Sequence, residues 1–269
     1  MPEFDPTAYG ASGIADEYDT LYAGQWDTEG TVECLFGLAA GGPVLELGIG
    51  TGRLALPLQA RGVEVHGVEA SPEMVRKLRE KPGGDRIPVE VEDFASADAG
   101  RRFSLVFLVA NTIFALPDQA AQVACFRNAA RHLVPSGRFV IEAWVPDLTG
   151  FRHNRQVRPR ITRADTMSIE TAELDPVAQM MRTTQAVFSN GSVRVYPANH
   201  RYAWPAELDL MAQLAGLGTE ARWSDWHRSP FSADSQTHVS VYRLESSNRG
   251  GAEPSVPLSG TTPSEMGPR

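Results

Sequence analysis

The sequence predicts a doubly wound α/β fold, a mostly parallel sheet with helices on both faces, carrying an antiparallel β insertion after the fifth strand. Three observations predict it. Between residues 43 and 144 short apolar runs alternate with helical segments, the pattern of βαβ units that build a parallel sheet. After Trp144 strand-like runs follow one another with only turn signals between them, which implies antiparallel pairing. The chain has 269 residues, 42% of them apolar and 22% charged, which suits one α/β domain with an insertion.

The first forty residues read as two amphipathic helices, over 14–22 and 27–38, the second closed by Gly41 and Gly42. Apolar runs at 44–47, 63–68, 89–91, 105–109 and 139–143 follow as strands, separated by helices at 54–59, 72–80 and 119–132. Each helix is long enough to cross back over a sheet. The insertion, about 152–203, holds strands at 158–163, 167–174, 179–188 and 193–202, with turns at Asp175-Pro176 and Asn190-Gly191. A helix at 205–215, ended by Gly216, leads to strands at 221–226 and 239–244. One domain over 1–245 is expected, with a helical lid at 8–40. Residues 246–269 are Gly, Pro, Ser and Thr with scarcely anything to bury, and read as a flexible tail.

A formal charge of −8 argues against general affinity for nucleic acid, which clustered Lys and Arg carry. One stretch runs the other way: Arg152, Arg155, Arg158, Arg160 and Arg163 crowd a single segment. It reads either as a solvated strand face or as a site that captures an anion. No apolar run approaches the roughly 20 residues of a membrane helix, and the first ten residues lack a basic start with an apolar core, so a cytoplasmic protein is expected. Cys34 and Cys125 fall inside predicted helices without metal-ligand spacing, so buried thiols are expected and no metal is implied.

The chemistry concentrates in Val44-Leu45-Glu46-Leu47-Gly48-Ile49-Gly50-Thr51-Gly52-Arg53, an apolar strand running into a glycine-dense turn and a helix. Gly48, Gly50 and Gly52 permit positive φ and let a ligand lie directly on the backbone. Glu69 ends the second strand seventeen positions beyond Gly52, where an acid can take both hydroxyls of a ribose. A dinucleotide fingerprint would place glycine at Arg53, so the ligand should carry a ribose and base without a pyrophosphate. After the third strand, Asp93 can accept from an exocyclic amine and Phe94 can pack a base.

The ELGIGTGR turn, Glu69, Asp93-Phe94 and the order of elements resemble a class I S-adenosylmethionine-dependent methyltransferase over residues 10 to 244. The resemblance implies a Rossmann-like, seven-stranded sheet with its last strand antiparallel, and S-adenosylmethionine as cofactor. It implies that the three glycines lie under the methionine and ribose, that Glu69 holds the ribose, and that Asp93 and Phe94 frame adenine. It also implies a water-mediated contact from Glu46 to the methionine amino group; the alternative is a carboxylate satisfied by neighbouring amides. Tyr9, Tyr18, Arg53, Ala70 and Asn111 complete the expected cofactor contacts.

The acceptor side is less specified. Ligands of open α/β sheets sit beyond the carboxyl ends of the strands, which places Asn111, Phe114 and Trp144 near the reacting methyl. The segment from Val109 to Phe114 lacks the Asp/Asn-Pro-Pro-aromatic pattern of enzymes that methylate base amino groups, which argues against a nucleic-acid substrate. Tyr18 and Tyr22 share a helix face, as a site lining or as a seal onto the sheet. His200 stands beside Tyr202 where the inserted strands return to the core, as a base or as a structural histidine. Tyr18, Asn111, Phe114 and His200 are thus the catalytic candidates, and Tyr22, Phe114, Trp144 and Tyr202 the acceptor-binding ones.

The insertion and lid resemble, more loosely, small-molecule N-methyltransferases of antibiotic biosynthesis acting on amino sugars and lincosamides. That resemblance implies transfer to an amine of a secondary metabolite and a homo-oligomer; no nucleic-acid or membrane partner is expected, as the charge and the apolar runs already indicate. O-methylation and a catalytically inactive cofactor-binding module are the competing readings; an NAD-dependent oxidoreductase is disfavoured by Arg53.

Overall fold

The computed structural model describes residues 14–21, 24–162, 166–189 and 191–244. Tyr9, Tyr22, Arg163 and the segment 246–269 lie outside them. Two helices lead, α1 (Ile14–Leu21) and α2 (Thr28–Ala39), the second begun by Asp27, whose carboxylate accepts from Gly30 N. Its last turn is released by Ala40 in the left-handed region, one residue ahead of the expected glycines.

The main sheet is built from β1 (Val44–Leu47), β2 (Val65–Val68), β3 (Val89–Glu90), β4 (Phe103–Leu108), β5 (Leu133–Trp144), β10 (Leu217–Trp223) and β11 (Thr237–Leu244). Their order across it is β10-β11-β5-β4-β1-β2-β3. β1 pairs in parallel with β2 and β4, and β11 runs antiparallel to both β5 and β10, so the fold is the expected Rossmann-like one. β1 is buried along its whole length, as a central parallel strand must be.

Side-chain alternation along the strands divides the core in two. Val44, Leu105, Phe107 and Val140 point to the face covered by α2 and by α3 (Ala55–Ala60). Leu45, Val106, Leu108, Phe139 and Ile141 point to the other, covered by α5 (Gln119–Arg131) and α6 (Pro205–Leu214). The crossover after β2 is α4 (Pro72–Arg79), capped by Ser71 and opened by a proline, the residues a helix start favours. Cys34 and Cys125 are buried and free, as expected.

The insertion forms a separate four-stranded antiparallel sheet in the order β6 (Arg155–Thr162), β7 (Thr166–Asp175), β8 (Met180–Ser189) and β9 (Ser192–Arg201). Ser189 pairs with Ser192 across a tight turn in which Gly191 has φ +75. A buried network ties the end of β9 to the main body: Arg201 pairs with Glu207 at 2.6 Å and donates to Gln122 Oε1 at 2.7 Å.

Several boundaries differ from expectation, most of all β5, which starts at Leu133 and not at residue 139. β10 starts at Leu217, directly after Gly216 with φ +76, and not at residue 221. Trp226 lies beyond its end: its apolar character reflects burial in a loop, where its indole Nε1 donates to Glu142 at 2.8 Å. β6 starts at Arg155, which places more of the arginine segment on the strand. Among the described residues no helix is long and apolar enough to cross a membrane.

Candidate active site

A cleft of about 960 Å³ opens at the carboxyl ends of β1, β2 and β4, roofed by the antiparallel sheet. Its floor is the glycine turn. Gly48 and Gly50 both line it and both have positive φ, +75 and +55. A Cβ on Gly48 would come 2.8 Å from Thr112 Cγ2, whereas one on Gly50 would meet no atom within 4 Å and would project into open space. Gly52 differs: its φ is +84, and a Cβ there would collide with Leu78 Cδ1, so it serves helix packing and lies away from the cleft.

Glu69 is fixed across that floor. Its Oε2 accepts from Gly50 N at 2.9 Å and its Oε1 from Ser71 N at 2.9 Å, which leaves further lone pairs for a ligand. Burial raises its pKa, against those amide hydrogen bonds. Ala70 lines the cleft beside it. Asp93 uses Oδ1 to hold Ala95 N at 2.8 Å, and Phe94 lines the wall; Asn128 fixes this loop by donating to the carbonyls of Phe94 and Ala97.

Glu46 is 4% exposed, and its Oε2 has no hydrogen-bond partner among the described residues. Desolvation pushes its pKa up to about 8; the positive charge of Arg53 opposes this and the nearby Glu69 adds to it. Arg53 does not line the cleft. Its guanidinium stacks 4.6 Å over the Trp26 ring and borders a smaller cavity of about 350 Å³ together with Gly52 and Lys81.

Tyr18 lines both cavities and stacks on Trp26, with centroids 6.2 Å apart. Tyr18 and Tyr196 of β9 both pack against the cluster of Ala15 on α1 and Met74 on α4, so α1 closes over the cleft beside the antiparallel sheet. A latch holds α1 there. Asp19 accepts from Thr51 Oγ1 in the glycine turn at 2.6 Å and pairs with Lys81 at 2.5 Å, while Lys81 donates to the Thr51 carbonyl at 2.8 Å. Partial burial works against ionisation, but Lys81 and Thr51 hold the Asp19 carboxyl below its usual range. No sequence pattern pointed to Asp19.

On the acceptor side, Asn111 and Trp144 line the cleft and are coupled. Asn111 sits at φ +65, and its Oδ1 accepts from Trp144 N at 2.7 Å. Glu142, also missed in the sequence, accepts from Ala110 N at 2.9 Å and so fixes the same left-handed turn. Phe114 and Tyr202 do not reach the cleft. Phe114 is fully buried edge-on against Trp144, centroids 4.7 Å apart, and Tyr202 is 1% exposed behind the same indole. Both support Trp144, and Ala115 and Leu116 take the wall position expected of Phe114.

His200 lines the cleft from β9, its Nε2 3.4 Å from Thr183 Oγ1. Desolvation lowers its pKa, with the Glu170 charge opposing, so the imidazole is neutral near pH 7. Of the arginine segment, Arg158 and Arg160 line the same roof around Glu170. Their period-two spacing was the available signal.

Comparison with known proteins matches the turn to a methyltransferase domain model over residues 44–137. The cypemycin N-terminal methyltransferase of a Streptomyces species is 30% identical over 206 residues, 75% of this chain and 82% of that protein. The solved CcbJ methyltransferase of Streptomyces caelestis is 40% identical, with a TM-score of 0.82 over 90% of this chain and all of that one. This chain belongs to the S-adenosylmethionine-dependent methyltransferases. Its cofactor is S-adenosylmethionine. The methyltransferase fold extends to CalS10 of Micromonospora echinaspora, with a TM-score of 0.65 at 20% identity over 85% of this chain and 96% of that one. The cleft fits the cofactor: Gly50 leaves bare peptide and open space and the half-buried Glu69 keeps carboxylate lone pairs for a ligand, whereas Glu46, despite its unpartnered oxygen, is buried and does not itself line the cleft.

Proposed function

We propose that this methyltransferase transfers the methyl group to an amine of a small molecule, a secondary metabolite. The observation that carries it is His200, neutral through burial, facing the same cleft as the Gly50–Glu69 floor. The bound cofactor supplies an electrophilic methyl on a sulfonium. The residues of the chain do the rest. Glu69 accepts from the ribose hydroxyls, Asp93 from the adenine amine, and Phe94 packs the base. Glu46, which does not itself line the cleft, contacts the methionine ammonium through water, and that charge favours the ionised carboxylate. Asn111 sets Trp144, which narrows the approach so that nucleophile, carbon and sulfur align, an effect worth several kcal/mol.

The acceptor arrives as an ammonium. Asp147 and Asp234 line the cleft and favour a cation; hydrogen bonds from the Thr149 hydroxyl and amide keep the Asp147 carboxyl below its usual range. Thr183 Oγ1 stands 3.5 Å from the Ala198 carbonyl, to which it donates, so its oxygen accepts from His200 Nε2 and leaves Nδ1 as the basic nitrogen. Nδ1 takes the proton that the ammonium must lose. A histidine weakened by burial suits an ammonium far better than an alcohol. The similarity to an N-terminal methyltransferase supports the same reading.

Incubation with labelled cofactor and a panel of amines and matched alcohols tests it. Products one methyl heavier with N-methyl resonances are expected, and methyl ethers alone would overturn the amine reading. The homo-oligomer expected from the sequence belongs to this proposal, and light scattering tests it: a monomer at working concentration would remove it.

A further inference from the structure

We propose that the roof of the cleft holds a carboxylate of the methyl acceptor, so that the acceptor carries its amine at one end and an anionic group at the other. This rests on the amine reading above and adds the substrate class. Arg158 and Arg160 both line the roof, and they share one carboxylate. Arg158 bonds Glu170 Oε1 at 2.7 Å through both Nε and Nη2. Arg160 stands 3.8 Å from Oε2 and makes no hydrogen bond among the described residues. Two guanidiniums against one carboxylate leave a positive charge, and Arg160 keeps its forked donors, which match a carboxylate in pairs.

The backbone aims Arg160 on purpose. Pro159 pairs with Ile169 and Ile161 with Ser168, so Arg160 is the extra residue of a β-bulge, a device that redirects a side chain next to a site. Arg158 alone would satisfy Glu170, and a second half-exposed ion pair adds little stability. Arg158 and Arg160 are the arginines that line a cleft whose other charged walls are Glu69, Asp93, Asp147, Glu170 and Asp234. Apart from Glu170, which the arginines share, these carboxylates sit on segments other than the strand that carries the arginines, which fits a dipolar acceptor.

Register gives the span. Arg158 pairs with Glu170, Glu170 with Gln185 and Gln185 with Tyr196, four residues before His200. Three strand spacings of about 14 Å and four residues of about 13 Å lie at right angles and put the backbones of Arg158 and His200 roughly 19 Å apart, with Arg160 somewhat farther, before curvature and the inward-reaching arginine and histidine side chains shorten the path. Amine and carboxylate are therefore separated by roughly 10–15 Å, the length of a three- to five-residue extended chain at about 3.3 Å per residue.

Oligoalanines of two to five residues, as free acids and as C-terminal amides, serve as rulers in calorimetry with enzyme saturated by S-adenosylhomocysteine. The expected result is that acids of three to five residues bind about ten-fold more tightly than their amides, as a charge-assisted hydrogen bond pair gives. The preference falls towards one in Arg160→Gln, returns in part in Arg160→Lys, and the melting temperature and S-adenosylhomocysteine heat are unchanged in both. Equal binding of acid and amide, or no peptide binding, overturns the carboxylate subsite. Missing S-adenosylhomocysteine heat instead overturns the cofactor site, and methyl transfer to the peptide amine, scored separately, reports on the amine reading.

Discussion

Asp19, on the first helix, accepts a 2.6 Å hydrogen bond from the hydroxyl of Thr51, a residue of the glycine turn that is itself 2% exposed. The helix that closes the cleft is thereby fastened to the loop that forms its floor.

Asp19→Asn therefore loosens the lid. The Lys81 pair is surface-exposed and contributes about 0.3–1 kcal/mol, so cofactor affinity should fall two- to five-fold while the fold survives. Because the folded pKa lies below the ordinary 3.8, the latch is whole above that value and is lost as pH falls through the lower one. Calorimetric titration of wild type and variant at pH 7 checks the difference, and equal affinities would remove the latch.

Gly50→Ala and Gly52→Ala should fail in different ways. Both force an L side chain to positive φ, at about 1–2 kcal/mol. The new methyl at Gly50 projects into cofactor space, so binding should drop more than ten-fold with a modest loss of melting temperature. The methyl at Gly52 strikes Leu78, so stability should suffer first. Thermal melting paired with cofactor titration separates the two.

Glu46 gives the protein a pH-dependent liability. Its folded pKa, about 8, lies above the ordinary 4.5, so the native state holds a proton that the unfolded state releases, and stability falls as pH rises between those values. Glu46→Gln should flatten that slope by at least about 1 kcal/mol and weaken cofactor binding. Urea melts of the apoprotein at pH 5 and pH 8 measure it; an unchanged slope would show that Glu46 is ionised throughout.

His200→Asn should lower kcat by on the order of 10² with a smaller change in KM. In the wild type the acid limb of the rate profile should fall below pH 6.5, because burial lowers the imidazole pKa. The variant should lack that limb.

The glycine turn, Glu69 and Asp93-Phe94 were legible in the sequence because each is local: a strand end, a turn and a residue type suffice to place it. The parallel half of the main sheet followed from the same alternation of apolar runs, whereas the seven strands with an antiparallel last one came from the family resemblance, and their order became visible only in the structure. Asp19 was not legible, since its partners Thr51 and Lys81 stand 32 and 62 positions away and no periodicity links them. Phe114 was misplaced because the short 3-10 turn at Thr112–Ala115 rotates it into the core, and Tyr202 because the chain enters the body at Arg201. In the arginine segment, the register shift at Arg160 was not legible, since it is a matter of strand pairing and not of composition.

The most direct measurement is the heat of S-adenosylmethionine binding to purified wild type and Glu69→Ala. One site in the wild type, with affinity reduced at least ten-fold in the variant, is the expected result. Equal binding by both proteins would contradict the placement of the ribose on Glu69, and with it the cradle on which every role assigned in the cleft depends.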